Sequence, residues 1–145
     1  MTHPLDQLWA SVREFHHAFR HPAPPTPTLI PLERAAKRAT WTEEECQELR
    51  DAQTIVDQAD AAIDQIYFAI GTLVELGVRP GKLFDIVHGA NMNKLHLVDG
   101  VPTAVYHPDG KTKKPEGWVA PEPLLAHEVD RQARVHHALS RATMP

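Results

Sequence analysis

Only one cysteine, Cys46, occurs in the 145 residues. That excludes an internal disulfide framework and predicts a reducing compartment. No apolar run approaches the roughly 20 residues a membrane span needs. The start, Met1-Thr2-His3-Pro4-Leu5-Asp6, lacks a basic region followed by an apolar core, so a cytoplasmic protein is expected. Neither a glycine-rich phosphate loop of Walker type nor a GxGxxG is present. The formal net charge of −4 and a pI near 6.2 argue against a general binder of nucleic acid or anionic membrane. Hydrophobic and charged fractions of 42% and 23% are ordinary for a globular chain, and the length predicts one domain over 1–145.

What is present is mostly helical patterning. Leu8, Trp9, Val12, Phe15 and Phe19 recur at helical spacing and predict a helix from Asp6 to Arg20. Pro22, Pro24, Pro25 and Pro27 forbid regular structure and predict a stiff connector over 22–31. Helix formers then run from Pro31 to Gln53, and Thr42 with Glu45 matches a capping box that offers a fresh start. A helix from Val56 to Leu76, stopped by Gly77, contains Ile66-Tyr67-Phe68-Ala69-Ile70, apolar all round and so expected to be buried. Further helices are expected after Arg79-Pro80-Gly81, running to about Leu95, and from Glu122 to Arg141. Between them, Asp99-Gly100 and Asp109-Gly110 flank Thr103-Ala104-Val105-Tyr106, a small β-hairpin or ordered loop. The fold class expected is all-α, a helical bundle with a hairpin or loop near 96–118.

Glu43-Glu44-Glu45-Cys46-Gln47-Glu48 is electrostatically anomalous. Cys46, Leu49, Ala52 and Val56 form an apolar stripe, and Glu45 falls inside it with Glu48 at its flank. Glu44 stands one turn from Glu48. Like charges at that spacing repel, and a carboxylate on a core-facing stripe costs several kcal/mol unless neutralised. A hard divalent cation with oxygen ligands would neutralise it, so the cluster reads as a metal site. Asp57, Asp60 and Asp64 share a face of the next helix. A cation would draw Asp64 and the Glu45/Glu48 pair together if the two helices pack antiparallel, as their short connection favours. The alternative is a solvated acidic face, since Glu75 lies on the same side.

Polar residues continue an apolar stripe on the following helix. Leu83, Ile86, Val87 and Ala90 lead to Asn91 and Lys94, an amide and a point charge that would hold a phosphate. Alternatively the helix ends there and Lys94 reaches solvent along its own aliphatic stem. Lys111, Lys113 and Lys114 suit either the outer phosphates of a nucleotide or a solvated basic turn. Adjacent His16 and His17 cannot share a helix face and make a poor metal site. Cys46 reads as a small core residue rather than a nucleophile.

The run Glu44-Glu45-Cys46-Gln47-Glu48, followed by Asp64 before Ile66-Tyr67-Phe68-Ala69-Ile70-Gly71, resembles the all-α nucleoside triphosphate pyrophosphohydrolases of the MazG type. Their pattern is EExxE, a spacer, then ExxD. The likeness continues through Leu83–Lys94, Asp109-Gly110-Lys111 and Lys114–Trp118, and extends loosely to Glu14-Phe15-His16. It is similar to the MazG-like branch with the deinococcal dUTP-hydrolysing protein and the phage MazZ proteins, which remove deoxyguanosine triphosphate. The resemblance implies a MazG-type helical bundle, a homodimer or homotetramer, and Mg²⁺ or Mn²⁺ held by Glu45, Glu48 and Asp64. Glu44 would be a further ligand or would orient the attacking water. Asn91, Lys94, Lys111 and Lys114 would contact sugar or phosphate, and Phe15 and His16 would lie beside the base. The glutamate of ExxD falls at Ala61, which leaves Asp60 or Asp57 to substitute as a metal ligand or one metal site weakened.

The leading expectation is hydrolysis of a (deoxy)nucleoside triphosphate to the monophosphate and pyrophosphate, leaning to dGTP or GTP over dUTP. Its partner would be the nucleotide, with neither nucleic acid nor membrane, in the cytoplasm of a cell or of a phage's host. Ala61 motivates a second expectation, a nucleotide-binding module without turnover. A third is a structural protein that pairs through its acidic and apolar faces. Phe19 and Trp41 are stacking candidates that equally suit the core.

Overall fold

Helix ends organise the chain, and their capping chemistry is written in it. In the computed structural model, which describes residues 2–142, Pro4 opens α1 (Pro4–Ala18), and His3 Nδ1 accepts from the Leu5 amide at 3.1 Å. The helix closes with Arg20 at φ 58°, where the Arg20 and His21 amides return to the His17 and His16 carbonyls at 3.3 and 2.8 Å. That is a Schellman motif with arginine in the left-handed position usually given to glycine. Next, α2 (Leu32–Asp51) runs unbroken. The fresh start offered at Thr42 does not occur, because its hydroxyl donates back to the Arg38 carbonyl at 3.1 Å. The capping pair is instead Thr54 with Asp57, at the start of α3 (Ile55–Glu75).

The structure divides into two compact units, Met1–Gly81 with Val129–Pro145, and Lys82–Glu128. In the first, Trp9 and Val12 of α1 pack on Ile70 and Val74 of α3. The stripe expected at Cys46, Leu49, Ala52 and Val56 is not core: Leu49 is 40% exposed and Val56 76%. The sole buried residue of α2 among those described is Arg38. Ile66, at 49%, is likewise uncovered, so the middle of α3 is not buried all round within one chain.

The proline connector is seated rather than loose. The Pro22 carbonyl accepts from His16 Nδ1 at 2.8 Å and the Thr28 amide donates to the Leu76 carbonyl at 2.9 Å. Between them the Thr26 carbonyl lies directly over Gly77, which ends α3 at φ 65°. The Gly77 and Val78 amides close a second Schellman motif on Val74 and Leu73 at 2.9 and 3.0 Å.

In the second unit, α4 (Gly81–Met92) precedes an antiparallel hairpin of β1 (His96–Val98) and β2 (Val101–Thr103), with Val98 opposite Val101. Asp99 and Gly100 take φ 51° and 78° in the two-residue turn. Asp109-Gly110 closes a separate turn under an isolated bridge of Tyr106 to Thr112. Each Asp-Gly pair therefore makes its own reversal, and the two strands flank the first pair. Lastly, α5 (Glu122–Ala142) passes from the second unit into the first at Val129, and within the first its Gln132 amide exchanges hydrogen bonds with the Arg79 backbone at 2.9 and 3.1 Å. Among the described residues no helix is long and apolar enough to cross a membrane.

Gly77→Ala should destabilise the protein by about 1–3 kcal/mol, since a Cβ there meets a backbone carbonyl and a left-handed φ together. Urea unfolding checks this. An unchanged midpoint would mean that the connector is not seated on α3.

Candidate active site

Contacts between α2 and α3 form a ladder that descends one helix as it climbs the other. Arg34 meets Glu75, Arg38 meets Thr72, Trp41 meets Phe68 and Glu45 meets Gln65. The helices are therefore antiparallel, as their short connection predicts. The first rungs are ionic: Glu75 accepts from Arg34 Nε and Nη2 at 2.9 and 2.6 Å and from Arg38 Nη1 at 2.7 Å. Arg38 also donates to Thr72 Oγ1 and to the Phe68 carbonyl, each at 2.8 Å. Burial alone would raise the Glu75 carboxyl, but its hydrogen bonds and charge contacts with Arg34 and Arg38 outweigh that and hold it below the usual carboxylate range. The two arginines move in opposite directions. Burial lowers Arg38, whose side chain is 6% exposed, whereas the Glu75 bond raises Arg34, which is 25% exposed.

One turn on, the ladder becomes acidic. Glu45 and Asp64 are half-buried, while Glu44, Glu48 and Asp60 are exposed. Glu45 Oε2 is shut off from solvent and has no hydrogen-bond partner. Burial pushes the Glu45 carboxyl up, and the charges of Glu48, Asp64, Glu44 and Asp60 push it further in that order. A buried carboxylate oxygen in a field of four more carboxylates is costly as it stands. Oxygen donors of this kind fit Mg²⁺ or Mn²⁺. Among the described residues no three His, Cys, Asp or Glu side chains converge closely enough to enclose a metal ion. The acids are coupled through their charge and not assembled into a cage. Asp57 stands apart, its carboxylate taken by the Thr54 hydroxyl at 2.7 Å. Ala61, where the ExxD glutamate would fall, is 1% exposed.

On the ionic side of the acids lies a small cavity of about 60 Å³, lined by Phe15, His16, Arg38, Trp41, Tyr67 and Phe68 among others. Both guanidinium groups approach the Trp41 ring, Arg34 at 5.0 Å and Arg38 at 5.8 Å. His16 is 3% exposed, and burial lowers its pKa. Because the Pro22 carbonyl can only accept, Nδ1 carries the proton and Nε2 keeps a bare lone pair. Gly71 admits both groups, since a Cβ there would sit 2.5 Å from Arg38 Nη2 and 3.1 Å from His16 Nε2. Phe15 stacks on Phe19 at 4.3 Å and meets Tyr67 edge-on at 5.7 Å. Phe19 is 63% exposed, so it is not core.

The remaining expected contacts belong to the second unit. Asn91 Oδ1 accepts from Lys94 Nζ at 2.7 Å, Lys114 Nζ lies 4.2 Å from the Trp118 ring centre, and Lys111 reaches Asp109 at 3.7 Å. Sequence reasoning missed Arg34, Arg38 and Gly71, and its alternative of a solvated acidic face does not hold at Glu75, which the structure buries in ion pairs. A signal was present: Arg34 and Arg38 lie one turn apart on a helix that also carries Trp41, and Glu75 interrupts an otherwise apolar Leu73-Val74-Leu76.

The model of the phosphoribosyl-ATP pyrophosphohydrolase family matches residues 12–91, which span α2, α3 and the acidic ladder. A solved structure from Exiguobacterium sp. 255-15, described as a "putative NTP pyrophosphohydrolase", is similar over 93% of this chain and 99% of that one. Its identity is 34% and its TM-score 0.51. No curated protein gives a significant match.

Glu75→Gln should cost about 3 kcal/mol, because it leaves two guanidinium groups around a neutral amide. Chemical denaturation measures the loss. A cost within about 0.5 kcal/mol, the range of a surface change, would show that α2 is held by something else.

Proposed function

The chain belongs to the phosphoribosyl-ATP pyrophosphohydrolase family, and on that premise we propose that it hydrolyses a (deoxy)nucleoside triphosphate to the monophosphate and pyrophosphate. The observation that carries this reading is Glu45 Oε2, buried and unpartnered among Glu44, Glu48, Asp60 and Asp64, one turn from an aromatic cavity. Glu45, Glu48 and Asp64 would hold Mg²⁺ or Mn²⁺, with Asp60 serving in place of the acid missing at Ala61. When bound, the cation supplies Lewis acidity toward the phosphates and offsets their charge. Glu44 orients the attacking water and takes its proton. Asn91, Lys94, Lys111 and Lys114 are the proposed phosphate and sugar contacts, contributed by this chain or by a second copy.

Phe15, Trp41, Tyr67 and Phe68 offer faces for a base. Two guanidinium groups share one carboxylate, which leaves the cavity wall net positive and suited to an oxo group. The Nε2 lone pair of His16 suits a ring N–H. Guanine and uracil both present a carbonyl beside an N–H, so these groups suit either base; the lean to dGTP or GTP rests on the resemblance, with dUTP or dUDP as the alternative in the same branch. Ala61 favours a second reading, nucleotide binding without turnover. The uncovered apolar residues of α3, with Ile55 at 85% and Ile63 at 60% exposed, support a homodimer or homotetramer.

Incubation with a panel of ribo- and deoxyribonucleoside triphosphates, with Mg²⁺ or Mn²⁺, should release pyrophosphate, most readily from guanine nucleotides. Orthophosphate as the only product excludes the proposed bond cleavage. Glu48→Gln should lower kcat by about 10²-fold or more while far-ultraviolet circular dichroism stays unchanged. Saturating Mg²⁺ should also raise the Tm by roughly 4 °C, and Glu45→Gln should lose that rise. A full cation response in Glu45→Gln would remove this carboxylate from the ligand set.

A further inference from the structure

In the second unit, one indole gathers two ammonium groups. Trp118 Nε1 donates to the Ala90 carbonyl in the last turn of α4 at 2.8 Å, which fastens the end of the 104–118 loop to that helix. Lys114 Nζ lies 4.2 Å from the ring centre and Lys94 Nζ 5.7 Å. Lys94 follows the end of α4 and Lys114 lies in the loop, and both ammonium groups approach the Trp118 ring. Among the described residues neither forms an ion pair with a carboxylate, whereas Lys111 is drawn to Asp109 at 3.7 Å.

Two like charges on one ring repel each other and would drift apart in the absence of compensation. The negative face of the indole supplies part of it, and the Asn91 Oδ1 bond to Lys94 at 2.7 Å supplies more. Both compensating groups are neutral, so the positive charge of the pair is retained. What completes such a pair is a multivalent oxyanion that accepts from both ammonium groups.

We propose that Trp118 is a positioning residue that holds Lys94 and Lys114 as a pair for the diphosphate portion of a nucleotide or for free pyrophosphate. This rests on the nucleotide reading above for the ligand's identity. The pair binds pyrophosphate whether or not the chain turns a nucleotide over. It also ranks the basic residues, with Lys94 and Lys114 in the clamp and Lys111 outside it.

The test is titration of the full chain with inorganic pyrophosphate, without divalent cation so that the acidic cluster contributes no attraction. Affinity is read by calorimetry and the indole by its emission. Wild-type emission should change on binding, and that change should vanish in Trp118→Phe, where Trp9 and Trp41 remain as background. Lys114→Ala and Trp118→Leu should each weaken binding by about tenfold, the loss of one charge-assisted contact. Trp118→Phe, which keeps a ring face, should recover affinity to within roughly threefold of wild type. Should Trp118→Leu not fold, the Lys94→Ala/Lys114→Ala double variant decides. Binding by the lysine variants at wild-type strength, or an emission change that persists in Trp118→Phe, overturns the proposal. Pyrophosphate release from nucleotides alongside unaltered affinity in Trp118→Leu would overturn it alone. Clamp behaviour as described without any nucleotide hydrolysis would instead overturn the catalytic reading.

Discussion

Everything placed on α2 depends on one carboxylate, Glu75, being shared by Arg34 and Arg38. The helix has no fully buried apolar side chain among those described, and the half-buried Trp41 against Phe68 is a single apolar rung. A helix docked by burial alone slides at little cost, since apolar contact is not directional. Arg38 is different. It makes three bonds to three acceptors on α3, and a shift of one turn would break all of them and strand a buried charge. Gly71 belongs to the same constraint, since any larger residue would displace the guanidinium. The ion pairs thus set the register, and the register determines which carboxylates face each other further along.

The helix pair is electrostatically polarised as a result. At one end two guanidinium groups meet one buried carboxylate, and at the other four carboxylates act on the buried oxygen of a fifth, Glu45. Neither end is neutral, and they lie about two turns apart on the ladder. A ligand that suits both must bring electron-rich oxygen to the first and arrive with cations at the second. A nucleoside polyphosphate with an oxo base has that order of groups along its length. The aromatic rungs between the ends, Trp41 and Phe68 at 6.1 Å, are where its flat portion would be accommodated.

The acidic end was legible in the sequence because its signal is local. Glu44, Glu45 and Glu48 lie within two turns of one helix, and helical periodicity alone sets Glu45 against the grain of its neighbours. The ionic end was not. Its partners are 37 and 41 residues apart in the chain, and nothing local says that Glu75 will be buried. Helix stops show the same division. Gly77 announces its left-handed turn, whereas Arg20 adopts one without a residue that prefers it, because the seating of the connector on His16 and α3 overrides propensity. The Thr42 capping box failed for a related reason. Its hydroxyl back-bonds to the Arg38 carbonyl one turn earlier, as a threonine inside a helix does. The core estimate failed at Leu49, Val56 and Ile66, where apolar periodicity was real but one chain has nothing to cover it.

Ala61 shows how the two ends bear on one another. Its position is 1% exposed, closed off by the close approach of packed helices. A glutamate there would bury a further carboxylate beside Glu45, deepening a desolvation cost that Glu45 already carries. One residue earlier, Asp60 is rotated toward solvent yet still raises the Glu45 pKa through its charge. Asp60 therefore contributes negative potential without the burial, at the expense of a looser hold on any cation. A cation held there would depend more on the ligand's own phosphate oxygens. Cation and nucleotide would then bind interdependently, each improving the other's site, as reciprocal coupling requires.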